Sequence, residues 1–196
     1  MVLVLLWSAL LTGCSNESSD PAFGLELRKP DGWTYVSSGD ASTTRGDIIN
    51  YSAAQVTQAI NNHGAAPLFA LLKRPPPQAG LNPSFGINLT RDGANRGQTG
   101  VALLATLVAR ASNTGQFHIV HGASANKLAA HHGAQAELHT VAQQPAGGVA
   151  TRVQLHLLLI DDVSVLIAAT DAVSGADAAA AEFAEILASL RLPGAP

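Results

Sequence analysis

Imidazole is the side chain best suited to exchanging a proton near neutral pH or to holding a transition metal, and this chain carries seven, at His63, His118, His121, His131, His132, His139 and His156. Strand alternation decides which of them can act together, because successive residues of a strand point to opposite faces. His118 and His121 lie three apart in one expected strand, Phe117 to Ser124, which sends them to opposite faces. On the stretch Val149 to Ile160, Val149, Val153, Leu155, Leu157 and Leu159 share a face and leave Arg152, Gln154 and His156 on the other. On Ala134 to Val141, Ala134, Ala136 and Leu138 lie opposite Gln135, Glu137 and His139. If these two strands form a hairpin about Pro145-Ala146-Gly147-Gly148, matching the apolar faces sets Glu137 opposite His156 and His139 opposite Gln154. A shift of two residues preserves the faces and sets His139 opposite His156. Either register gathers Gln135, Glu137, His139, Arg152, Gln154 and His156 on one surface, with His131 and His132 just upstream. Glu137, His139 and His156 are the candidate set for a metal ion or small ligand, since two facing imidazoles and a carboxylate are suitable Zn ligands where they converge. The same patch is equally what a solvated or helix-covered sheet face presents.

Other chemistry finds less support. No Gly-x-Ser-x-Gly, Gly-x-Gly-x-x-Gly or phosphate-cradling Gly-x-x-x-x-Gly-Lys pattern occurs. Asp161-Asp162 is an adjacent carboxylate pair, but its position between two strand-like runs suits a hairpin turn, in which the two side chains diverge. No enzymatic activity and no dissociable cofactor are therefore expected. A net charge of -3 and a pI near 6.1 supply no broad basic field, which argues against a nucleic-acid partner.

The elements that must position these groups follow from periodicity. Phe23 to Arg28 alternates as a strand, and Lys29-Pro30-Asp31-Gly32-Trp33 reads as a turn, with Trp33 capping one end of the core. Gly39 to Asn50 reads as loop, within which Arg45-Gly46-Asp47 looks like an adhesion tripeptide occurring by coincidence. Ser52 to Asn62 reads as a helix with Val56, Ala59 and Ile60 on one side. Leu68 to Arg74 and Phe85 to Arg91 read as strands interrupted by Pro75-Pro76-Pro77. Gly100 to Ala111 places Val101, Leu104, Ala105 and Val108 at helical spacing, widened by Leu103 and Leu107, and is expected to be mostly buried. Strands follow at Phe117 to Ser124, Ala134 to Gln143, Val149 to Ile160 and Val163 to Thr170. Ala179, Phe183, Ile186, Leu187 and Leu190 form the stripe of a closing amphipathic helix, stopped by Pro193. The expected class is α+β, a mainly antiparallel sheet with packed helices. With 47% hydrophobic and 13% charged residues and no second composition regime, residues 22–196 are expected to form one domain.

The amino-terminal end carries a different signal. Met1 to Leu11 is apolar but too short for a membrane-spanning helix, which needs about 20 residues, and it suits the core of an export signal. It ends in Leu11-Thr12-Gly13-Cys14, which resembles the lipobox of bacterial lipoproteins. That resemblance implies a signal peptide at 1–13, cleavage between Gly13 and Cys14, diacylglycerol (and then an N-acyl chain such as palmitate) on Cys14, and a polar tether at 14–21. Two or more acyl chains hold a protein stably at a bilayer, where one does so only marginally. Cys14 is the sole cysteine, so no internal disulfide can form. Export signals usually open with a basic segment, and none precedes the apolar run here, which points to a start further upstream. Ser15 follows the lipobox where Asp is associated with inner-membrane retention. The implied location is therefore the cell envelope, periplasm-facing and held by lipid, at the outer membrane in a Gram-negative host.

The opening strand before Pro30-Asp31-Gly32-Trp33, the Gly133-Ala134-Gln135-Ala136 stretch that leads into consecutive strands, and the closing Phe183-Ala184-Glu185-Ile186-Leu187-Ala188-Ser189-Leu190 together resemble the PsbP-like α/β/α sandwich, a group that includes envelope lipoproteins of the DcrB and LpqN types. Members are mostly binding or assembly factors without shared catalytic residues. The resemblance implies a non-catalytic envelope lipoprotein acting as an accessory to an envelope protein partner. The alternative is a periplasmic metal or small-ligand binder using the His/Glu patch.

Overall fold

A computed structural model describes residues 24–37, 43–63, 68–75, 81–91, 97–140, 150–174 and 178–192. In chain order its elements are β1 (Leu25–Arg28), β2 (Thr34–Ser37), β3 (Thr43–Arg45), β4 (Ile48–Tyr51), α1 (Ala53–His63), β5 (Phe69–Leu72), β6 (Ser84–Arg91), α2 (Gly100–Asn113), β7 (Phe117–Leu128), β8 (His131–Thr140), β9 (Thr151–Ile160), β10 (Val163–Ala172) and α3 (Ala180–Ser189). The class is the α+β one expected. β1, β4 and β3 form a small antiparallel sheet, and the other strands form a seven-stranded antiparallel sheet in the order β2-β5-β6-β10-β9-β8-β7.

Alternation splits the large sheet into two apolar faces at opposite ends. Phe85 and Ile87 of β6, Val165 and Ile167 of β10 and Leu158 of β9 point toward α1, α3 and the small sheet, forming the main core. Leu157 of β9 and Ala134, Ala136 and Leu138 of β8 point the other way, onto Leu104 and Val108 of α2. Contrary to expectation, α2 is not mostly buried: only Leu104 and Val108 are, and its far side is exposed. It lies on the outer strands β7 to β9 and has the sheet on one side only.

Local sequence explains most boundaries. Ser52 and Gln55 form a reciprocal cap on α1: the Gln55 N–H donates to Ser52 Oγ at 3.3 Å and the Ser52 N–H to Gln55 Oε1 at 2.7 Å. Thr99 caps α2 by accepting from the Ala102 N–H. On α3, Phe183 is buried edge-on to Trp33, with ring centroids 5.8 Å apart. Trp33 is thus a core residue, entered through the turn at Gly32, whose φ is +77°.

Three boundaries depart from the sequence reading. The stretch expected as loop from Gly39 to Asn50 contains the β3–β4 hairpin, closed at Gly46 with φ +67°. Its strands are too short to show alternation, and β4 is held by pairing with β1, twenty or more residues earlier. Arg45-Gly46-Asp47 is consumed by this turn: Asp47 pairs with Arg28 at 3.0 Å, and its carbonyl accepts from the Lys29 N–H at 2.7 Å. The closing helix ends at Ser189, ahead of Pro193, because Arg191 takes extended backbone and exchanges two hydrogen bonds with Glu26 of β1, at 2.8 and 3.1 Å. Finally, β7 and β8 run on to meet at Ala129-Ala130, a two-residue turn with both residues at positive φ, +48° and +67°. Such turns normally carry Asn and Gly, so no sequence signal marked it. By contrast Asp161-Asp162 is the expected two-residue turn between β9 and β10, with Asp161 at φ +53° and Asp162 paired to Arg91 at 2.8 Å.

Candidate functional site

The polar residues singled out on β8 and β9 lie on the α3 side of the sheet, at the end that α3 leaves partly uncovered. Between them and the helix runs an open groove of about 670 Å³. One wall is polar, built from His121 and Ser124 of β7, Gln135 and Glu137 of β8, and Gln154 and His156 of β9. The other is the apolar flank of α3, formed by Ala180, Phe183, Ala184 and Leu187.

Neither expected register is the one found. Gln135 stands opposite His156, Glu137 opposite Gln154 and His139 opposite Arg152. All three registers keep the same faces together, so the apolar pattern could not choose among them. Gly133, opposite Leu158, provides a steric reason for the one adopted. A Cβ on Gly133 would lie 2.4 Å from Leu158 Cδ2 and 2.5 Å from the Leu157 carbonyl oxygen; only glycine tolerates that approach. The Pro145-Ala146-Gly147-Gly148 connection lies outside the described residues.

The separation expected of His118 and His121 is also overturned. Pairing runs Ile119 to Leu138 and then His121 to Glu137, so β7 carries an extra residue there, and a second irregularity follows before Ser124 meets Gln135. A bulge reverses alternation. His118, opposite His139, and His121, opposite Glu137, therefore share the groove face. Val120 and Gly122 sit at these irregularities, and a glycine inside a strand-like run was the one local hint of them.

Within the groove the polar groups hold one another. His139 Nε2 and Glu137 Oε1 are 2.8 Å apart, and the His118 and His139 rings meet edge-on at 5.5 Å. Asn126 Nδ2 donates to His156 Nδ1 at 3.0 Å, which places the proton of a neutral imidazole on Nε2. Burial pushes the His156 pKa below the ordinary imidazole value, because desolvation disfavours the charged form. Of the three candidate ligands, Glu137 and His139 thus engage each other and His156 engages Asn126. Among the described residues no group of three or more His, Cys, Asp or Glu is arranged to hold a metal ion. His132 pairs with Lys127, in register with the apolar face of β8.

A buried ion pair fixes the position of the helix wall. Asp171 of β10 is wholly buried. It accepts from Arg152 Nε at 2.9 Å, from Arg152 Nη2 at 2.6 Å and from the Ala179 N–H, at the start of α3, at 2.7 Å. The hydrogen bond to Asp171 raises the Arg152 pKa above its usual value. One carboxylate therefore joins β9, β10 and the first turn of α3, a role the sequence reading did not assign. On the other side of the same turn Lys73 bonds Glu182 at 2.7 Å, which lowers the Glu182 pKa.

Gly13 and Cys14 lie outside the described residues. No helix among the described residues is long and apolar enough to cross a membrane. No protein-family model matches the chain, and no curated protein sequence matches it significantly. Among solved structures, the fold is similar to that of LpqN, a protein involved in cell envelope biogenesis of Mycobacterium tuberculosis, with a TM-score of 0.54 and 14% identity over 90% of this chain and 87% of that one. A structure from Bacteroides thetaiotaomicron aligns more loosely, with a TM-score of 0.45 and 13% identity over 86% of this chain and 44% of its own.

Proposed function

We propose that this chain is a non-catalytic cell-envelope lipoprotein, anchored through lipid on Cys14, whose α+β domain acts as a binding accessory and receives its ligand in the groove between α3 and strands β7 to β9. The groove carries this reading. Its size falls in the range of small-molecule sites, about 300–1,000 Å³, and one apolar wall facing one hydrogen-bonding wall, with Glu137 its single carboxylate, suits a ligand with the same division. The internal pairing of Glu137 with His139 and of His156 with Asn126 favours an organic ligand over a metal ion. Helices on both faces of the sheet are compatible with a PsbP-like α/β/α sandwich, and the likeness to a protein of envelope biogenesis supports placing this one in the envelope too. Lipid anchoring would raise its local concentration at the membrane surface where ligand or partner is met.

Two measurements test the proposal. Titration of the purified chain with octyl glucoside below its micellar concentration, followed by amide NMR, should give saturable shifts confined to β7–β9 and α3. Shifts spread over the whole surface, or none, refute the groove. Mass spectrometry of the protein from its native host should find a polypeptide beginning at an acylated Cys14, and an unmodified thiol with the leading residues attached removes the anchor.

A further inference from the structure

The imidazoles gather where the groove offers no permanent cation. His121 and His156 line it, His139 is bonded to Glu137, and His118 stands against His139. Arg152, the guanidinium on this face of β9, is already bound by Asp171. From β7 the face also presents Ser124 and Asn126, from β8 Gln135 and, beyond Gly133, His131, and from β10 Ile167 opposite His156. α3 adds no charged side chain to the lining, which leaves Glu137 as its only carboxylate. Imidazole is the side chain that gains charge on mild acidification, and the lining sets two, His121 and His156, against one carboxylate.

The hydrogen bonding inside the groove can accommodate that charge. Asn126 Oδ1 is buried and has no hydrogen-bond partner while Nδ2 donates to His156 Nδ1. A proton on Nδ1 would convert that acceptor into a donor, and rotating the Asn126 amide by half a turn would bring Oδ1 round to receive it. A buried oxygen left unpaired is costly, and after that rotation it accepts from Nδ1–H while a charged ring keeps its other proton on Nε2. Burial lowers the His156 pKa, so it takes up its proton at a lower pH than a solvated imidazole.

Resting on the binding reading above, we infer that the groove changes its charge preference with pH: with Glu137 its only carboxylate and no permanent cation in the lining, it takes an uncharged amphiphile near neutrality, and on acidification it accepts an anionic amphiphile, the headgroup against His121 and His156 and the stem along Ala180, Ala184 and Leu187. The probes are octanesulfonate, anionic throughout, and octyl glucoside, uncharged throughout, titrated into the purified chain at about pH 7.5 and about pH 5.5, the span over which imidazoles charge. Octanesulfonate should bind about tenfold more tightly at the lower pH, the effect of one unit charge at about 6 Å and an effective dielectric near 40, while octyl glucoside changes less than about threefold. His121→Gln, on an exposed position, should remove much of the pH dependence of sulfonate binding, read as the ratio of its affinities at the two pH values, and His121→Gln with His156→Gln should remove the rest. Glucoside binding with a sulfonate affinity that ignores pH, or a response unchanged in His121→Gln, overturns the inference and spares the groove. Failure of both probes at both pH values overturns the binding reading, and the inference with it.

Discussion

Removing the carboxylate of Asp171 should be the most damaging single change outside the apolar core. Asp171→Ala would leave the Arg152 guanidinium, whose side chain is only 17% exposed, without its bidentate partner and the Ala179 N–H without an acceptor. Breaking a buried pair from one side costs about 3–5 kcal/mol, because the remaining charge stays desolvated. For a domain of this size that corresponds to a fall in Tm of about 6–20 °C. Asp171→Asn keeps an acceptor for one donor and should lose less, about 1.5–3 kcal/mol, the value of hydrogen bonds to a charged group. The assay is urea unfolding, with the midpoint shifted at unchanged slope. A double-mutant cycle with Arg152→Ala isolates the pair: the double variant should be at least about 2 kcal/mol more stable than the two single losses added together. Asp171→Leu with Arg152→Met should recover most of the loss, since apolar replacement of a buried pair is often neutral. If Asp171→Ala costs less than about 1 kcal/mol, or the cycle is additive, the assignment of this carboxylate as the tie between β9, β10 and α3 is wrong.

Gly133→Ala should destabilise the fold by about 3 kcal/mol or abolish soluble expression, because the new methyl meets a backbone carbonyl that cannot move aside; an unchanged urea midpoint would show that the β8–β9 register is not fixed there. Replacing Ala129-Ala130 by Asn-Gly should stabilise by about 1 kcal/mol, relieving two left-handed alanines, and a fall in Tm would contradict the turn. The His156 pKa is lower in the folded chain than in the unfolded one, so the unfolded state takes up a proton first. Stability from this residue is complete above about pH 6.5 and is lost as pH falls from there toward the depressed value. His156→Gln should flatten that slope in urea midpoints measured across the range. Zinc titration should reveal no saturable stoichiometric site that disappears in His139→Ala with His156→Ala; calorimetry finding one would restore a metal reading.

The sequence by itself settled what is local. Alternation on Ala134 to Leu138 and on Arg152 to Leu159 sorted apolar from polar residues onto the faces found, and the 3.6-residue stripe from Ala179 to Leu190 marked the helix that packs with Phe183 inward. Those properties need only the chain's own period and the exclusion of apolar surface from water. The tertiary structure decided what is relational. A slip of two residues leaves every face unchanged, so register passed to a contact between Gly133 and Leu158. An added residue in β7 brought His118 and His121 to one side, against the parity that sequence spacing implies. Asp171 became a tie because β9, β10 and the start of α3 converge on it, and the groove exists because α3 stops short of the outer strands. Each depends on distances between segments far apart in the chain, which no window of residues encodes.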